Sequence, residues 1–351
     1  MTIDGQPVLL RTKKDVLALD VVGIGFPLVD VLGVVGDAHL VELGLPKGSM
    51  TLVDAPRAEE ICSTLGTTVE VSGGSAANTM AGIASLGGRS GFIGRIADDA
   101  PGRRFVEAIG DAGVVFEPVI LTELHQQELS STETGRCVIL VTEDHERTMA
   151  THLGIGAFLT EHHVDSAFVR RGSVLYIEGY QYDEPVAKAA IAKAIEAAHE
   201  AGGSVAVSLS DSFCVDRHRA DFLHLVEQDI EVLFANADEA MALFNSPTLE
   251  AALDALEETG ILAAVTNGAE GSVIVSPSGR ISIPAKLVGE VLETTGAGDL
   301  YAAGFLFGLT QGFDLESCGE LGSLCAGEVI SHMGGRPEQD LEALAIEHGL
   351  L

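Results

Sequence analysis

Short apolar runs rich in valine, isoleucine and leucine alternate along the chain with longer segments of helical character. Residues 20–25 predict a buried strand that ends in a glycine turn, and residues 185–201 predict a helix with proline in its first turn. The other predicted strands are residues 90–93, 204–209, 230–234 and 262–266, and the other predicted helices are residues 75–86, 237–244 and 298–309. Strands that alternate with helices predict an α/β fold with a doubly wound, mostly parallel sheet flanked by helices.

Two stretches interrupt this alternation and predict a separate small sheet. Residues 31–53 and 115–149 are richer in β-branched and polar residues, and residues 137–142 are the clearest strand within them. Since antiparallel strands can be joined locally, we expect both insertions to form one small antiparallel β lid over a ligand. The predicted large α/β domain then comprises residues 16–30, 54–114 and 150–351.

Charge and composition narrow the classes of partner. The 351 residues include 20 Lys and Arg against 52 Asp and Glu, which gives a formal net charge of −32. Binding to nucleic acid or to an anionic membrane surface needs a clustered positive face, so we expect neither. Because 46% of the residues are hydrophobic, the acidity does not indicate disorder.

The N-terminal residues and the cysteines favour a cytoplasmic protein. Residues 1–15 hold only a three-residue apolar run, which is too short for a secretory signal. The most apolar stretch, residues 300–309, is far shorter than the ~20 residues of a membrane span. The five cysteines contain no C-x-x-C pattern, so we expect reduced thiols rather than a disulfide scaffold or a zinc site.

The most informative segment for chemistry runs from Glu293 to Asp299 and leads into an apolar helix. The small residues Gly296, Ala297 and Gly298 allow backbone N–H groups to converge at a helix N-terminus, where the helix dipole favours negative charge. Such a nest could hold a phosphoryl group, and Asp299 beside it could accept a proton from an attacking hydroxyl. The alternative is an ordinary glycine-rich helix start with an aspartate that complements the dipole.

A second glycine-rich element, Gly73-Gly74 followed by Asn78, is suited to a polyol ligand. The glycines permit close approach of the backbone, and the Asn78 amide can both donate and accept hydrogen bonds. Ser75 is predicted to cap the helix that follows. Asp30, after the first strand, could accept two hydroxyl hydrogen bonds from the same ligand. The alternatives are a tight strand-to-helix turn and a capping aspartate.

Polar residues also follow two later strands, at the sheet edge where ligands of open α/β sheets bind. Asn236 and Glu239 could organise a hydrated Mg²⁺ with its phosphates, because Mg²⁺ keeps water and takes few protein ligands. The alternative is a capped helix start. Residues 266–271 form another predicted turn at a strand end, which carries little weight alone.

Several familiar motifs are missing from the sequence. There is no G-x-x-x-x-G-K-[ST] P-loop, no third glycine after Gly23 and Gly25 to complete a dinucleotide fingerprint, and no G-x-S-x-G elbow. A nicotinamide oxidoreductase is therefore disfavoured. No Lys or Arg occurs between residues 220 and 279, so Mg²⁺, backbone amides and arginines elsewhere must hold any phosphates.

Taken in order, these segments resemble the ribokinase-like (PfkB) family of carbohydrate and nucleoside kinases, from Asp20 to about Pro337. Three patterns carry the resemblance: Gly73-Gly74-x-x-x-Asn78 continuing to Gly94 and Asp99-x-x-Gly102, then Asn236-x-x-Glu239, then Thr295-Gly296-Ala297-Gly298-Asp299. The resemblance implies a large α/β domain with a β lid, MgATP as the phosphoryl donor and a primary hydroxyl as the acceptor.

The resemblance also implies a role for each candidate residue. Asp299 would be the general base, with Gly296, Ala297 and Gly298 as the anion hole. Asn236 and Glu239 would serve the phosphates and the metal, Glu239 through water; Thr266, Gly268 and Gly271 would line the nucleotide; and Asp30, Gly73, Gly74 and Asn78 would hold the hydroxyls of the acceptor.

Within the family, residues 176–180 and 208–213 are most similar to the adenosine-kinase branch. Phe26 stands where that branch usually has Asn beside the acceptor. Glu293 stands where the family usually has Asp, at a position linked to a monovalent cation such as K⁺.

Three functions remain open at this point. They are a nucleoside kinase that converts adenosine to AMP, a sugar kinase of the ribose or fructose type, and a non-catalytic nucleoside or sugar sensor on the kinase fold. Arg136 could reach an anionic part of the acceptor or be a surface cation. The sequence leaves open a monomer or a homodimer.

Overall fold

The structure is a computed structural model, which describes residues 18–120 and 133–351 together with the short segments 2–3 and 6–7. Residues 16 and 17 of the predicted large domain and residues 121–132 of the predicted lid lie outside the described residues. The strands are β1 (Thr2–Ile3), β2 (Gln6–Pro7), β3 (Leu19–Ile24), β4 (Leu28–Val34), β5 (Met50–Leu52), β6 (Val69–Gly73), β7 (Ser90–Ile93), β8 (Arg95–Ile96), β9 (Val115–Phe116), β10 (Val119–Ile120), β11 (Thr134–Val141), β12 (Arg147–Gly154), β13 (Gly172–Glu178), β14 (Ser204–Ser208), β15 (Val232–Asn236), β16 (Leu262–Thr266), β17 (Ser272–Ser276) and β18 (Gly279–Ile283).

Helices connect most of these strands. The α-helices are α1 (Asp37–Leu43), α2 (Ala55–Thr64), α3 (Ser75–Ser85), α4 (Ala100–Asp111), α5 (Ser166–Val169), α6 (Pro185–Glu200), α7 (Ser212–Gln228), α8 (Ala237–Phe244), α9 (Leu249–Thr259), α10 (Ala297–Gln311), α11 (Leu315–Val329) and α12 (Leu341–Glu347). Short 3₁₀ turns lie at Ile155–Phe158, Glu161–His163, Gly179–Asp183 and Gly268–Glu270. No helix in the described ranges is both long enough and apolar enough to span a bilayer.

A nine-stranded sheet forms the centre of the described chain, in the order β18-β17-β16-β15-β14-β13-β3-β7-β9. The pairs from β16 to β9 are parallel, whereas β17, near one edge, pairs in antiparallel fashion with both β16 and β18. Val22 and Ile24 of β3 pack into an apolar cluster with α5 to α9, whereas Val21 packs into a second cluster with α3, α4 and α10 to α12. Because both faces are covered by helices, the strands are apolar throughout. The predicted doubly wound fold is confirmed.

Helix α3 begins one residue earlier than its predicted cap implies. Ser75 is the first helical residue, and Gly74 occupies the cap position with a φ of +93°. A Cβ atom on Gly74 would overlap the Phe26 carbonyl oxygen. The prediction of Ser75 as the helix cap is therefore wrong, and its hydroxyl is available for another partner.

A second sheet of five strands, in the order β5-β12-β11-β4-β6, lies beside the first. The prediction that this sheet is antiparallel holds for β11 with β12 and for β4 with β6. It is wrong for β4 with β11 and for β5 with β12, which are parallel. The long chain segments between those strands supply the crossovers that parallel pairing needs. Strand β6, at residues 69–73, also joins this sheet, although the sequence prediction assigned it to the large domain.

The two faces of the second sheet have different surroundings. One face packs against α1 and α2 through a cluster that includes Leu40, Ile61, Val138 and Leu140. Side chains two residues apart on a strand share a face, so Cys137 and Ile139 point to the opposite side. That inner face is directed at the carboxyl ends of the central strands of the large sheet, where the candidate site lies.

Candidate active site

A cavity of about 330 Å³ lies between the inner face of the second sheet and the carboxyl ends of β13 to β16. Ligands of open α/β folds bind at this end of the sheet. The predicted residues that line the cavity are Asp30, Gly74, Asn78, Asn236, Glu239, Thr266, Gly268, Gly296, Ala297, Gly298 and Asp299. Gly73, Gly271 and Glu293 do not line it. The structure thus brings together residues that are up to 269 positions apart in the chain.

Asp299 lies in the first turn of α10 and is half-buried. The Ser75 hydroxyl donates to Asp299 Oδ1 at 2.7 Å, and the Asn78 amide donates to Asp299 Oδ2 at 3.0 Å. Burial raises the pKa of the Asp299 carboxyl above its ordinary value, and these two hydrogen bonds oppose that rise. The carboxyl is therefore held in a fixed orientation and has an increased affinity for a proton.

The helix start beside Asp299 offers unused backbone donors. Gly296 adopts a left-handed conformation with a φ of +77°, and a Cβ atom there would lie 2.6 Å from Gly335 Cα. The Ala297 amide donates to the Thr294 carbonyl at 3.3 Å, whereas no acceptor among the described residues is found for the Gly298 and Asp299 amides. The local geometry is that of an anion-binding helix N-terminus.

Asp30 projects from β4 into the cavity, and its side chain makes no hydrogen bond to any described residue. It is 4% exposed, and burial raises its pKa to about 7, while Arg336 lowers it and Asp299 raises it. Gly73 lies behind Asp30 rather than at the cavity, because a Cβ atom on Gly73 would overlap the Asp30 carboxyl. Gly73 therefore makes room for the carboxyl of Asp30.

Asn78 makes a hydrogen bond that the sequence prediction did not include. It is buried, and its side-chain amide donates to Asp299. Gly335 packs so closely that a Cβ atom there would lie 2.5 Å from Asn78 Nδ2. Asn78 thus orients the carboxyl of Asp299 from the first turn of α3.

Asn236 and Glu239 form a reciprocal capping box at the start of α8. The Asn236 side chain accepts from the Glu239 amide at 2.9 Å, and the Glu239 carboxyl accepts from the Asn236 backbone at 2.9 Å and from its side chain at 2.7 Å. Burial raises the pKa of Glu239 to about 7, which Arg147 opposes. The capped helix start predicted as the alternative is therefore present, and both side chains still line the cavity.

This arrangement fits a hydrated Mg²⁺ better than a directly bound one. Each carboxyl oxygen of Glu239 already accepts one hydrogen bond and keeps capacity for a second, from a water molecule for example. Within the described ranges, no group of three or more His, Cys, Asp or Glu side chains converges as a metal site. Mg²⁺ commonly retains several waters when it binds with substrate phosphates.

The turn after β16 contributes two of its three predicted residues. Thr266 and Gly268 line the cavity. Gly271 instead closes the turn: its carbonyl accepts from the Asn267 amide at 2.7 Å, its φ is +90°, and a Cβ atom would overlap the Ile283 carbonyl. Gly271 therefore shapes the turn from outside the cavity.

Glu293 is fully buried and joins two backbone segments. Its Oε2 accepts from the Thr295 amide at 2.6 Å, and its Oε1 accepts from the Gly334 amide at 2.8 Å. This carboxylate therefore fixes the loop of Gly296 against the segment that follows α11.

Arg147 is the main site residue that the sequence prediction missed. It begins β12 and lines the cavity, and its guanidinium makes no hydrogen bond or ion pair to a described residue. Its positive charge lowers the pKa of Asp30, Glu239 and Asp299. The two-residue period of β12 would have placed it on one face with Met149, but only the register shows that this face is the inner one.

Arg136 and Phe26, which the sequence analysis also considered, both contact other side chains of the protein. Arg136 lies on β11 outside the cavity and pairs with Glu59 at 2.8 Å, so it is a surface cation. Phe26 is 1% exposed and packs with Leu153 and Ala157 at the edge of the cavity.

Comparisons with known proteins agree with the fold and the family. The family model described as pfkB family carbohydrate kinase matches residues 48–341. An adenosine kinase from Saccharomyces cerevisiae is 29% identical over 336 residues, which cover 89% of this chain and 94% of that protein. The adenosine kinase structure from Sinorhizobium meliloti has a TM-score of 0.90 and 44% identity, covering 94% of this chain and 99% of the other. The structure of a probable sugar kinase from Rhizobium etli CFN 42 has a TM-score of 0.90 and 40% identity, covering 95% and 99%. The family resemblance and the prediction of a kinase are confirmed.

Proposed function

The chain belongs to the pfkB family of carbohydrate kinases, and on that premise we propose that it transfers the γ-phosphoryl group of MgATP to the primary hydroxyl of a nucleoside. Adenosine, giving AMP, is the acceptor we expect. The observation that carries the proposal is the position of Asp299, whose carboxyl is fixed by Ser75 and Asn78 directly beside the unused amides of α10.

In the proposed reaction the carboxyl of Asp299 and the backbone amides at the start of α10 have separate roles. Asp299 accepts the proton of the acceptor hydroxyl, whose oxygen forms a bond to the γ-phosphorus while the bond from that phosphorus to the β-phosphate oxygen breaks. ADP is the leaving group. The amides of Gly298 and Asp299 then stabilise the negative charge on the transferred group, since they have no acceptor among the described residues.

Arg147 supplies the positive charge that the stretch from 220 to 279 lacks. Its guanidinium is unpaired among the described residues, it lines the same cavity as Asp299, and its charge lowers the pKa of that carboxyl. Arginine binds phosphate through paired N–H donors. Mg²⁺ would arrive with ATP and neutralise phosphate charge, and Asn236 with Glu239 would orient its waters.

The inner face of the second sheet favours a nucleoside rather than a free sugar as the acceptor. Its side chains at the cavity are mostly apolar, and they include Leu28, Met50, Ile139, Met149 and Leu153. A nucleobase needs an apolar slot, whereas a free sugar offers mainly hydroxyls that would lose hydrogen bonds to water against such a wall. Asp30 is placed to accept hydrogen bonds from the ribose.

Glu293 is the residue to which the K⁺ prediction referred. Each of its carboxyl oxygens accepts a hydrogen bond from a backbone amide, so its side chain holds the loop that leads into α10.

A sugar kinase of the same family is the second candidate. It is favoured by the similarity to the probable sugar kinase from Rhizobium etli and by the carboxyl of Asp30, which would serve a ribose or fructose hydroxyl equally well.

Release of ADP from MgATP, measured over a panel of adenosine, other nucleosides, ribose and fructose, tests the proposal. We expect the highest kcat/KM with adenosine. A Met149→Ala variant should raise KM for the nucleosides more than for ribose, because it removes part of the apolar wall. Faster turnover with ribose or fructose would favour the sugar kinase. Tight acceptor binding without ADP release would instead indicate the non-catalytic sensor.

A further inference from the structure

Glu178 is a buried carboxyl at the end of β13 that has no role in the reaction described above. It is 1% exposed and joins two separate segments. Its Oε1 accepts from the Phe26 amide at 2.7 Å, and its Oε2 accepts from the Ala76 amide at 2.8 Å. Gln181 Nε2 lies 3.4 Å from the same Oε1. Glu178 thus connects the turn after β3 with the first turn of α3.

The first turn of α3 needs an acceptor from elsewhere in the fold. Its first amides have no intrahelical partner, and the cap residue, Gly74, has no side chain to accept from them. A carboxylate at a helix N-terminus also interacts favourably with the helix dipole. Glu178 supplies this acceptor from a strand 102 positions away in the chain.

The same turn of α3 carries both groups that orient the base. Ser75 precedes Ala76 directly and donates to Asp299 Oδ1, and Asn78 follows two residues later and donates to Asp299 Oδ2. A shift of this turn would therefore move both donors together. We propose that Glu178 is a positioning residue, which fixes the start of α3 and thereby orients the carboxyl of Asp299 toward the acceptor hydroxyl; this inference rests on the proposed function.

Close packing restricts the Glu178 side chain to a single conformation. A Cβ atom on Gly25 would overlap Glu178 Oε2 and would lie 2.8 Å from Ala76 Cβ. Gly25 therefore has to be glycine for the carboxyl to reach the Ala76 amide. Burial raises the pKa of Glu178 to about 7, the two backbone amides lower it, and the charge of Asp299 raises it. The two backbone hydrogen bonds favour the ionised form of the carboxyl.

The test is a Glu178→Gln variant, compared with Asp20→Asn as the matched control. A glutamine has one acceptor oxygen, so its NH₂ group would face one of the two backbone N–H donors. Asp20 is also buried and accepts from the Arg89 amide at 2.8 Å, but it lies at the opposite end of β3 from the cavity. Both changes convert a buried carboxyl to an amide and are expected to lower the melting temperature.

Only the change at Glu178 should affect catalysis. We expect kcat of Glu178→Gln to fall roughly 10- to 100-fold, the size of effect that a small misplacement of a reacting group produces, with KM for MgATP little changed. Asp20→Asn should keep the wild-type kcat. A kcat of Glu178→Gln within about twofold of wild type, or an equal loss in Asp20→Asn, would overturn the inference.

A Gly25→Ala variant provides a second measurement that does not alter the carboxyl itself. Because the added methyl group displaces Glu178 from the Ala76 amide, we expect the same loss of kcat with KM for MgATP retained. If Glu178→Gln does not fold, Gly25→Ala tests the positioning role of Glu178 instead. A wild-type kcat in Gly25→Ala would overturn the inference. A wild-type protein that releases no ADP with any acceptor would instead overturn the proposed function, and the inference with it.

Discussion

Replacement of Ser75 by alanine tests how the base is tuned. The Ser75 hydroxyl donates to Asp299 Oδ1 at 2.7 Å, and Asn78 holds the other oxygen. A hydroxyl proton stabilises the ionised carboxylate more than the neutral acid, so this bond lowers the pKa of Asp299, against the upward effect of burial. The Ser75→Ala change removes that contribution, while Gly74 and Glu178 continue to hold the helix start.

The expected shift follows from the strength of the bond. A hydrogen bond to a charged group contributes about 1.5–3 kcal/mol, and each pKa unit corresponds to about 1.4 kcal/mol. Loss of the bond should therefore remove a stabilisation of this size from the ionised form and raise the pKa of Asp299. Asp299 must be ionised to accept a proton, so activity is lost as the pH falls through its pKa. The acidic limb of the profile should move to higher pH in the variant.

The assay is the pH dependence of kcat/KM for the acceptor, measured by ADP release at saturating MgATP. Ser85→Ala is the control, because Ser85 lies at the other end of α3 and its hydroxyl accepts from the Leu341 amide at 3.0 Å. The control should keep the wild-type acidic limb. If the limb of Ser75→Ala coincides with that of wild type, the bond from Ser75 does not tune the group that titrates, and the reasoning fails.

Two further predictions concern Arg147 on the second sheet and the carboxyl of Asp30. Arg147→Met should raise KM for MgATP and lower kcat/KM by roughly 10²- to 10³-fold, because the cation that we propose binds the phosphates is lost. Arg136→Met breaks only the outer pair with Glu59 and should not have this effect; steady-state kinetics of both variants check this. Asp30→Asn should stabilise the fold more at pH 8 than at pH 5, as measured by thermal melting. The pKa of Asp30 is raised from 3.8 to about 7, so between these values the native state holds a proton that the unfolded state has released. Wild-type stability therefore falls as the pH rises, by on the order of 3 kcal/mol between pH 5 and pH 8. A larger stabilisation at pH 5 would contradict this.

Local patterns were sufficient for five strands of the large sheet, but the sequence prediction assigned none of β9, β13, β17 and β18. Residues 237–244 and 262–266 form the helix and the strand as predicted, because the capping pattern of Asn236 and Glu239 and the short apolar run are visible within a few residues. Part of each of the three patterns that carry the resemblance meets at one cavity: Gly74 with Asn78, Asn236 with Glu239, and residues 295–299. For Asn236 and Glu239 the reason is that the carboxyl ends of parallel strands lie on one edge of a sheet.

Pairing between distant segments could not be read in the same way. The strand at residues 69–73 joins the second sheet because β4 lies beside it, and nothing in its own sequence specifies that partner. The hydroxyl of Ser75 was assigned to a helix cap, although it donates to a carboxyl 224 positions away. Arg147 faces the cavity only because of its register with β11. Each of these depends on tertiary contacts, which override local propensity.

The most direct test of the account is the turnover of an Asp299→Asn variant with adenosine and MgATP. Asparagine keeps the shape of the side chain but cannot accept the proton of the acceptor hydroxyl as a carboxylate does. We expect kcat to fall by about 10²- to 10⁴-fold, the contribution of a general base, while binding of MgATP is retained. Turnover by Asp299→Asn at the wild-type rate would contradict it.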